Sequence, residues 1–202
     1  MTEPRELRSL VLVEVAAVLA IAVVPWPDRV PVALPLVVAA TVARWVRGRS
    51  WSELWHGRGH AKVGALVGLG GFAVALAVMT PLAGGMVQWS EHAIVRGNAS
   101  ALWMVALLVA VTAAAEEAAL RGWLVERALE LRAPPLVAVL LGAAAEAIVM
   151  PGDLTNRLGA AVFGLGLGWI YVAGKRSLVA PVTARVVFVL ALVAAEWLRL
   201  VD

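Results

Sequence analysis

Seven runs of mostly apolar residues, at about 8–26, 31–47, 62–85, 101–122, 134–151, 156–174 and 177–199, leave this chain few ways to fold. Each is close to the ~20 residues that cross ~30 Å of hydrocarbon as a helix. The runs are continuous and rich in Ala, Val and Leu rather than alternating, which argues against a β-barrel. Of the 202 residues, 62% are hydrophobic and 15% charged. A soluble domain of this size has no use for so much apolar surface. The expectation is an all-α, polytopic membrane helix bundle of about seven transmembrane helices, with residues 1–202 forming a single integral membrane domain. The first run carries Glu14 and mixed flanking charges and lacks a clear small-x-small cleavage site, so it reads as a retained span.

Most charges fall between the runs or at their ends and set the orientation. Of 17 Lys and Arg, twelve belong to one side: Arg5, Arg8, Arg44, Arg47, Arg49, Arg58, Lys62, Arg121, Arg127, Arg132, Lys175 and Arg176. Arg29, Arg96, Arg157 and Arg199 belong to the other. This asymmetry places the N-terminus in the cytoplasm and the chain in the cell membrane. The net charge is only +3, so the basic excess speaks to topology, and no nucleic-acid partner is expected. With no cysteine, disulfides and thiolate metal sites are excluded.

Five ionisable groups lie well inside runs, five or more residues from either end: Glu14, Glu116, Glu117, Glu146 and Arg185. A charge at mid-span costs about 2.5–3.5 kcal/mol on insertion scales, so such groups face the bundle interior and find partners. Glu117 and Arg121 are four apart and share a helix face. Glu116 points about 100° away, free to act as a proton acceptor while its neighbour is held ionised. Residues 101–122 and 134–151 form a hairpin turning near Ala133. At ~1.5 Å per residue, that turn sets Leu120 level with Glu146. Arg185 supplies a counter-charge from the last run. Glu14 has no spacing to a second charge and reads as a lone tolerated acid. His56 and His60 have i, i+4 metal-ligand spacing but no third ligand, and read as a solvated loop. Gly64-x-x-x-Gly68 and Gly164-x-x-x-Gly168 read as close helix contacts. Pro35, Pro81 and Pro181 mark bends or span ends. Trp26, Trp45, Trp89, Trp123, Trp169 and Trp197 read as interfacial anchors.

The stretch "EEAALRGWLVERALE" from Glu116 resembles the first motif of the CPBP family, the CAAX-protease and bacteriocin-processing intramembrane metalloproteases. "RSWSELW" and "AAVFGLGLGWIYVAGKRSLVAPVTAR" are similar to further segments of that family. The resemblance covers about residues 45–190, with a core at 100–190. It implies a metallo-endopeptidase that hydrolyses peptide bonds near the cytoplasmic side of the membrane. Glu116 would activate water, and Glu117 and Arg121 would support it. Its substrate would be a membrane-associated protein or peptide. The family's zinc is held by two His on later spans. Here Glu146 stands for the Phe and Met150 for the His of the second motif, while Arg185 and Val189 stand for the His and Asn of the third. Glu146, with Glu116 and Glu117, is the remaining candidate to hold a divalent metal such as Mg²⁺ or Mn²⁺. Two alternatives stand beside the peptidase: an inactive family member serving as a membrane scaffold or peptide-binding partner, and proton or solute transport through the buried carboxylates.

Overall fold

The computed structural model describes residues 33–57, 60–79, 99–150 and 154–197, with residues 13, 14, 16, 17, 20 and 21 of the first run. Five of the apolar runs form helices nearly where the sequence places them. These are α1 (Ala33–Val46), α2 (His60–Val74), α5 (Pro135–Val149), α6 (Leu154–Ala173) and α7 (Val179–Trp197). Between α2 and α5 a longer rod forms from α3 (Ala99–Ala119), a π-helical segment (Leu120–Val125) and α4 (Glu126–Glu130). A second π-helical segment, Ala75–Met79, extends α2. The described residues contain no strand. Most of the first run, Pro81, His92 and the 80–98 connection lie outside the described residues.

The all-helical expectation holds, and the seven-span one is met only in part. Among the described residues one helix, His60–Val78, has the length and apolar composition to cross a membrane. Ala33–Val46, Pro135–Val149 and Val179–Ala195 are apolar but shorter. Many large apolar side chains nevertheless point outward, among them Val38, Leu66, Leu107, Leu140, Leu158 and Val162.

Two glycine pairs set the closest helix contacts. A Cβ on Gly64 would sit 2.3 Å from the carbonyl oxygen of Ala180, and one on Gly68 would sit 2.4 Å from that of Ala184. Only glycine lets α2 lie against α7 at this spacing. Gly164 and Gly168 do the same for α6 on α5, where the added carbons would meet Ala143 and Val139. Pro35 and Pro181 both lie in the first turn of their helices, where a missing N–H costs no hydrogen bond.

The π-segment shapes the core. All six of its residues, Leu120 to Val125, are buried, which a regular amphipathic helix does not allow. Leu120, Trp123 and Leu124 pack with Leu36 and Ala40 of α1 and with Ala145 of α5. Val125 packs with Leu54, Ala138, Tyr171 and Leu178. Trp123 is therefore a core residue, 1% exposed, and the expectation that it anchors an interface is corrected. Trp45 and Trp169 are exposed.

One end of the bundle is tied by polar contacts. Ser50 caps a 3₁₀ turn, Trp51–Leu54, in a capping box with Glu53. The backbone N–H of Leu178 donates to the carbonyl of Leu54 at 2.8 Å. Arg44 donates to the carbonyls of Gly122 and Ser50, and its guanidinium lies 4.7 Å from the centre of the Trp51 ring. Glu14 is not the lone acid expected of it. It accepts from Arg47 at 2.6 Å and pairs with Arg127 at 3.3 Å, fastening the first run to two later elements. No sequence spacing could show this, because the partners lie far along the chain, in the turn after α1 and on α4.

Candidate functional site

Four elements deliver the site. The last turns of α3 carry Glu116 and Glu117, and the π-segment carries Arg121. Glu146 comes from α5 and Arg185 from α7. The hairpin of the rod and α5 brings Glu146 level with Arg121, as the distance from the Ala133 turn requires. The four-residue spacing of Glu117 and Arg121 survives the change to π geometry, and Arg121 Nη1 donates to Glu117 Oε1 at 3.1 Å. Arg121 Nη2 donates both to Glu146 Oε2 and, at 3.0 Å, to the carbonyl of Gly164.

Arg185 is the hub. Its Nε donates to Glu117 Oε1 and its Nη2 to Glu146 Oε1. Its Nη1 pairs with Glu116 Oε2 at 2.9 Å. One guanidinium thus engages all three carboxylates, which its planar fork of donors permits and a lysine's point charge does not. Phe163 of α6 lies beneath it, with the guanidinium carbon 5.9 Å from the ring centre. Phe163 stacks in turn on Phe188, at 4.5 Å between centroids.

Burial differs across the cluster. Glu117 and Arg121 are fully buried, and the Glu146 side chain is 7% exposed. The Glu116 side chain is 35% exposed, and Arg185 is its one partner among the described residues. Glu117 Oε2 and Arg121 Nε are buried without a hydrogen-bond partner among the described residues. Gly164 is the site residue that motif reasoning assigned to packing alone. A Cβ there would fall 2.6 Å from Glu146 Oε2 and 3.2 Å from Arg121 Nη2. Its bare backbone makes room for the ion pairs and supplies a carbonyl to them.

The donor set does not fit the family's zinc. Where the family's motifs place His, this chain has Met150, which ends α5, and Arg185, which holds the carboxylates. Met is a weak ligand for zinc and Arg is none. Glu146, the candidate metal ligand, has both oxygens engaged by guanidinium groups. Among the described residues no group of three or more His, Cys, Asp or Glu side chains is arranged to hold a metal ion. His56 directs its two ring nitrogens at the carbonyls of Glu53 and Lys175, each at 3.1 Å, and His60 begins α2.

Outside this site, Glu126 sits past the end of its apolar run. It pairs with Arg176 at 3.4 Å, and burial pushes its carboxyl above the ordinary range despite that cation.

Residues 98–191 match the family model described as type II CAAX prenyl endopeptidase, Rce1-like. The match spans the rod, α5, α6 and most of α7, so it contains every member of the ion cluster. The resemblance to the CPBP family drawn from the sequence motifs is shown over that stretch. No curated protein and no solved structure matches the chain.

Proposed function

We propose that this chain is a membrane-embedded protein of the CAAX-protease type whose metal centre has been replaced by an arginine. It binds a membrane-associated peptide or protein without hydrolysing it. The observation that carries this reading is the position of Arg185, at a family zinc-ligand position and bonded to three carboxylates. A divalent cation in that family organises the carboxylates and activates water. Arg185 supplies a positive charge to the same groups but offers no open coordination position. Exchange of cation for cation keeps a positive charge among the carboxylates and removes the hydrolytic chemistry.

Membrane embedding is supported by the apolar outer faces of the helices and by the glycine-mediated crossing of α2 on α7. Seven spans with a cytoplasmic N-terminus remain the topology that the Lys and Arg asymmetry supports.

The competing reading is a working peptidase with Glu116 as the base. The family match and the partial exposure of Glu116 favour it. Proteoliposomes carrying a quenched fluorescent peptide, tethered to a single membrane span, separate the two. We expect capture of the peptide with no cleavage. Cleavage that disappears in Glu116→Gln would establish the peptidase and overturn the proposal.

A further inference from the structure

Two chain reversals at the basic end of the bundle are built alike. After α4, the N–H of Arg132 donates to the carbonyl of Leu129 and that of Ala133 to Ala128, both at 3.0 Å. After α6, the N–H of Arg176 donates to the carbonyl of Tyr171 at 2.9 Å. Helix stops of this kind need a left-handed residue, and glycine takes that conformation most readily. Here the positive φ falls on Arg132 (62°), Lys175 (57°) and Arg176 (64°), although Gly174 stands next to Lys175. A side chain is disfavoured there, so a basic residue at all three positions calls for a reason beyond the turn. The two turns lie together: Leu129, Ala133 and Val172 pack on one core cluster with Tyr171 and Leu178, and Arg176 reaches Glu126 on α4 at 3.4 Å. Each described Glu at this end, Glu14, Glu53, Glu126 and Glu130, already pairs with an arginine. Arg132 and Lys175 are exposed and have no acidic partner among the described residues, and Lys62 in the first turn of α2 is a third such cation.

We propose that these two turns bind the headgroup of an anionic phospholipid in the cytoplasmic leaflet, through Arg132 and Lys175 with Arg176 at their edge. The inference rests on the membrane embedding and orientation given above, not on peptide binding. Three features select a lipid over a soluble anion. The exposed apolar side chains of Leu136, Val137 and Leu140 begin within a turn of Arg132, so acyl chains can lie along α5 while the headgroup meets the cations. Trp55 is exposed in the segment fastened to the second turn, where the N–H of Leu178 donates to Leu54 and a ring nitrogen of His56 lies 3.1 Å from the carbonyl oxygen of Lys175. An indole so placed suits headgroup depth. Unpaired cations next to a bilayer attract acidic lipids. Topology requires only that basic residues lie on this side; it does not require them at left-handed positions.

The test uses the full chain purified in detergent, with native mass spectrometry reading its affinities for phosphatidylglycerol and phosphatidylcholine of the same acyl chains. Both lipids carry a phosphate, and they differ in net charge. We expect phosphatidylglycerol to bind at least about tenfold more tightly, as two uncompensated cations beside a headgroup allow. Arg132→Gly/Lys175→Gly should remove most of that difference without lowering the unfolding midpoint, because glycine suits both backbone positions. Arg132→Asn/Lys175→Asn, whose side chain also tolerates positive φ, should lose the preference in the same way. Equal affinities for the two lipids in the unaltered protein would overturn the inference. So would an unchanged preference in the glycine variant together with a lowered midpoint, which would leave the cations serving only the helix dipoles. Displacement of phosphatidylglycerol by excess inorganic phosphate would assign the surface to a soluble anion and overturn it as well. A chain that stays in solution without detergent and retains neither lipid would overturn the membrane embedding too.

Discussion

Replacing Arg185 with Met tests whether the guanidinium replaces a structural cation. Met is shorter than Arg but similar in volume and equally unbranched along its stem, so the change removes charge and donors with only a modest change in packing. Three ion pairs vanish together, those to Glu116, Glu117 and Glu146. The cluster is left with three carboxylates and Arg121 alone, an excess of two negative charges. The Arg185 side chain is 11% exposed, and its partners Glu117 and Glu146 are 0% and 7% exposed. The exposed-pair figure of about 0–1 kcal/mol therefore does not apply. Removing one partner from a buried pair costs about 3–5 kcal/mol. For a chain of this size that lowers the unfolding midpoint by about 6–20 °C. The assay is thermal unfolding in detergent, followed by intrinsic tryptophan fluorescence. Arg185→Lys should fall between the two, because a point charge cannot hold three carboxylates at once. Adding Glu117→Gln to Arg185→Met should recover part of the loss, since one of the stranded charges is then gone. A midpoint for Arg185→Met within about 2 °C of the unaltered protein, equivalent to less than ~1 kcal/mol, would refute the reasoning.

Three further outcomes follow from other parts of the fold. Gly68→Ala should destabilise by about 1–3 kcal/mol, because its Cβ would meet the Ala184 carbonyl oxygen at 2.4 Å; the same melting assay measures this, and no change would mean that α2 and α7 do not cross so closely. The raised carboxyl of Glu126 means that the folded chain binds its proton more tightly than the unfolded chain does. Its contribution is present at low pH and is lost as pH rises above the ordinary value of about 4.5 and through the raised folded value; Glu126→Gln should remove that component from the stability–pH profile. Restoring the family's ligand type with Met150→His/Arg185→His should produce zinc binding measurable by calorimetry, with zinc raising the unfolding midpoint of this variant alone.

Much of the site was legible before the structure because helix geometry is periodic. Glu117 and Arg121 at four residues, and Glu146 opposite Leu120 across the turn expected near Ala133, need only a rise of ~1.5 Å per residue. The helix positions follow from the apolar runs for a related reason: an element in an apolar solvent must satisfy its backbone internally. Other features were not legible. The π-segment at Leu120–Val125 turns Trp123 into the core, but its extra residue per turn leaves no mark in hydrophobic spacing. Glu14 finds Arg47 and Arg127 by tertiary approach, which no local pattern encodes. Gly164 looked like a packing residue because nothing in a glycine announces that its carbonyl will accept from Arg121. The sequence motifs showed Arg185 to be out of place among metal ligands. Only the geometry shows it joined to all three carboxylates.

The central claim is that an arginine has taken the place of the metal. Elemental mass spectrometry of the detergent-purified protein, beside Glu116→Gln/Glu117→Gln, tests it most directly. The account predicts no stoichiometric divalent metal in either sample, with the unaltered protein well folded. About one divalent ion per chain in the unaltered protein, lost in the double variant, would contradict it and return the carboxylates to a metallopeptidase site.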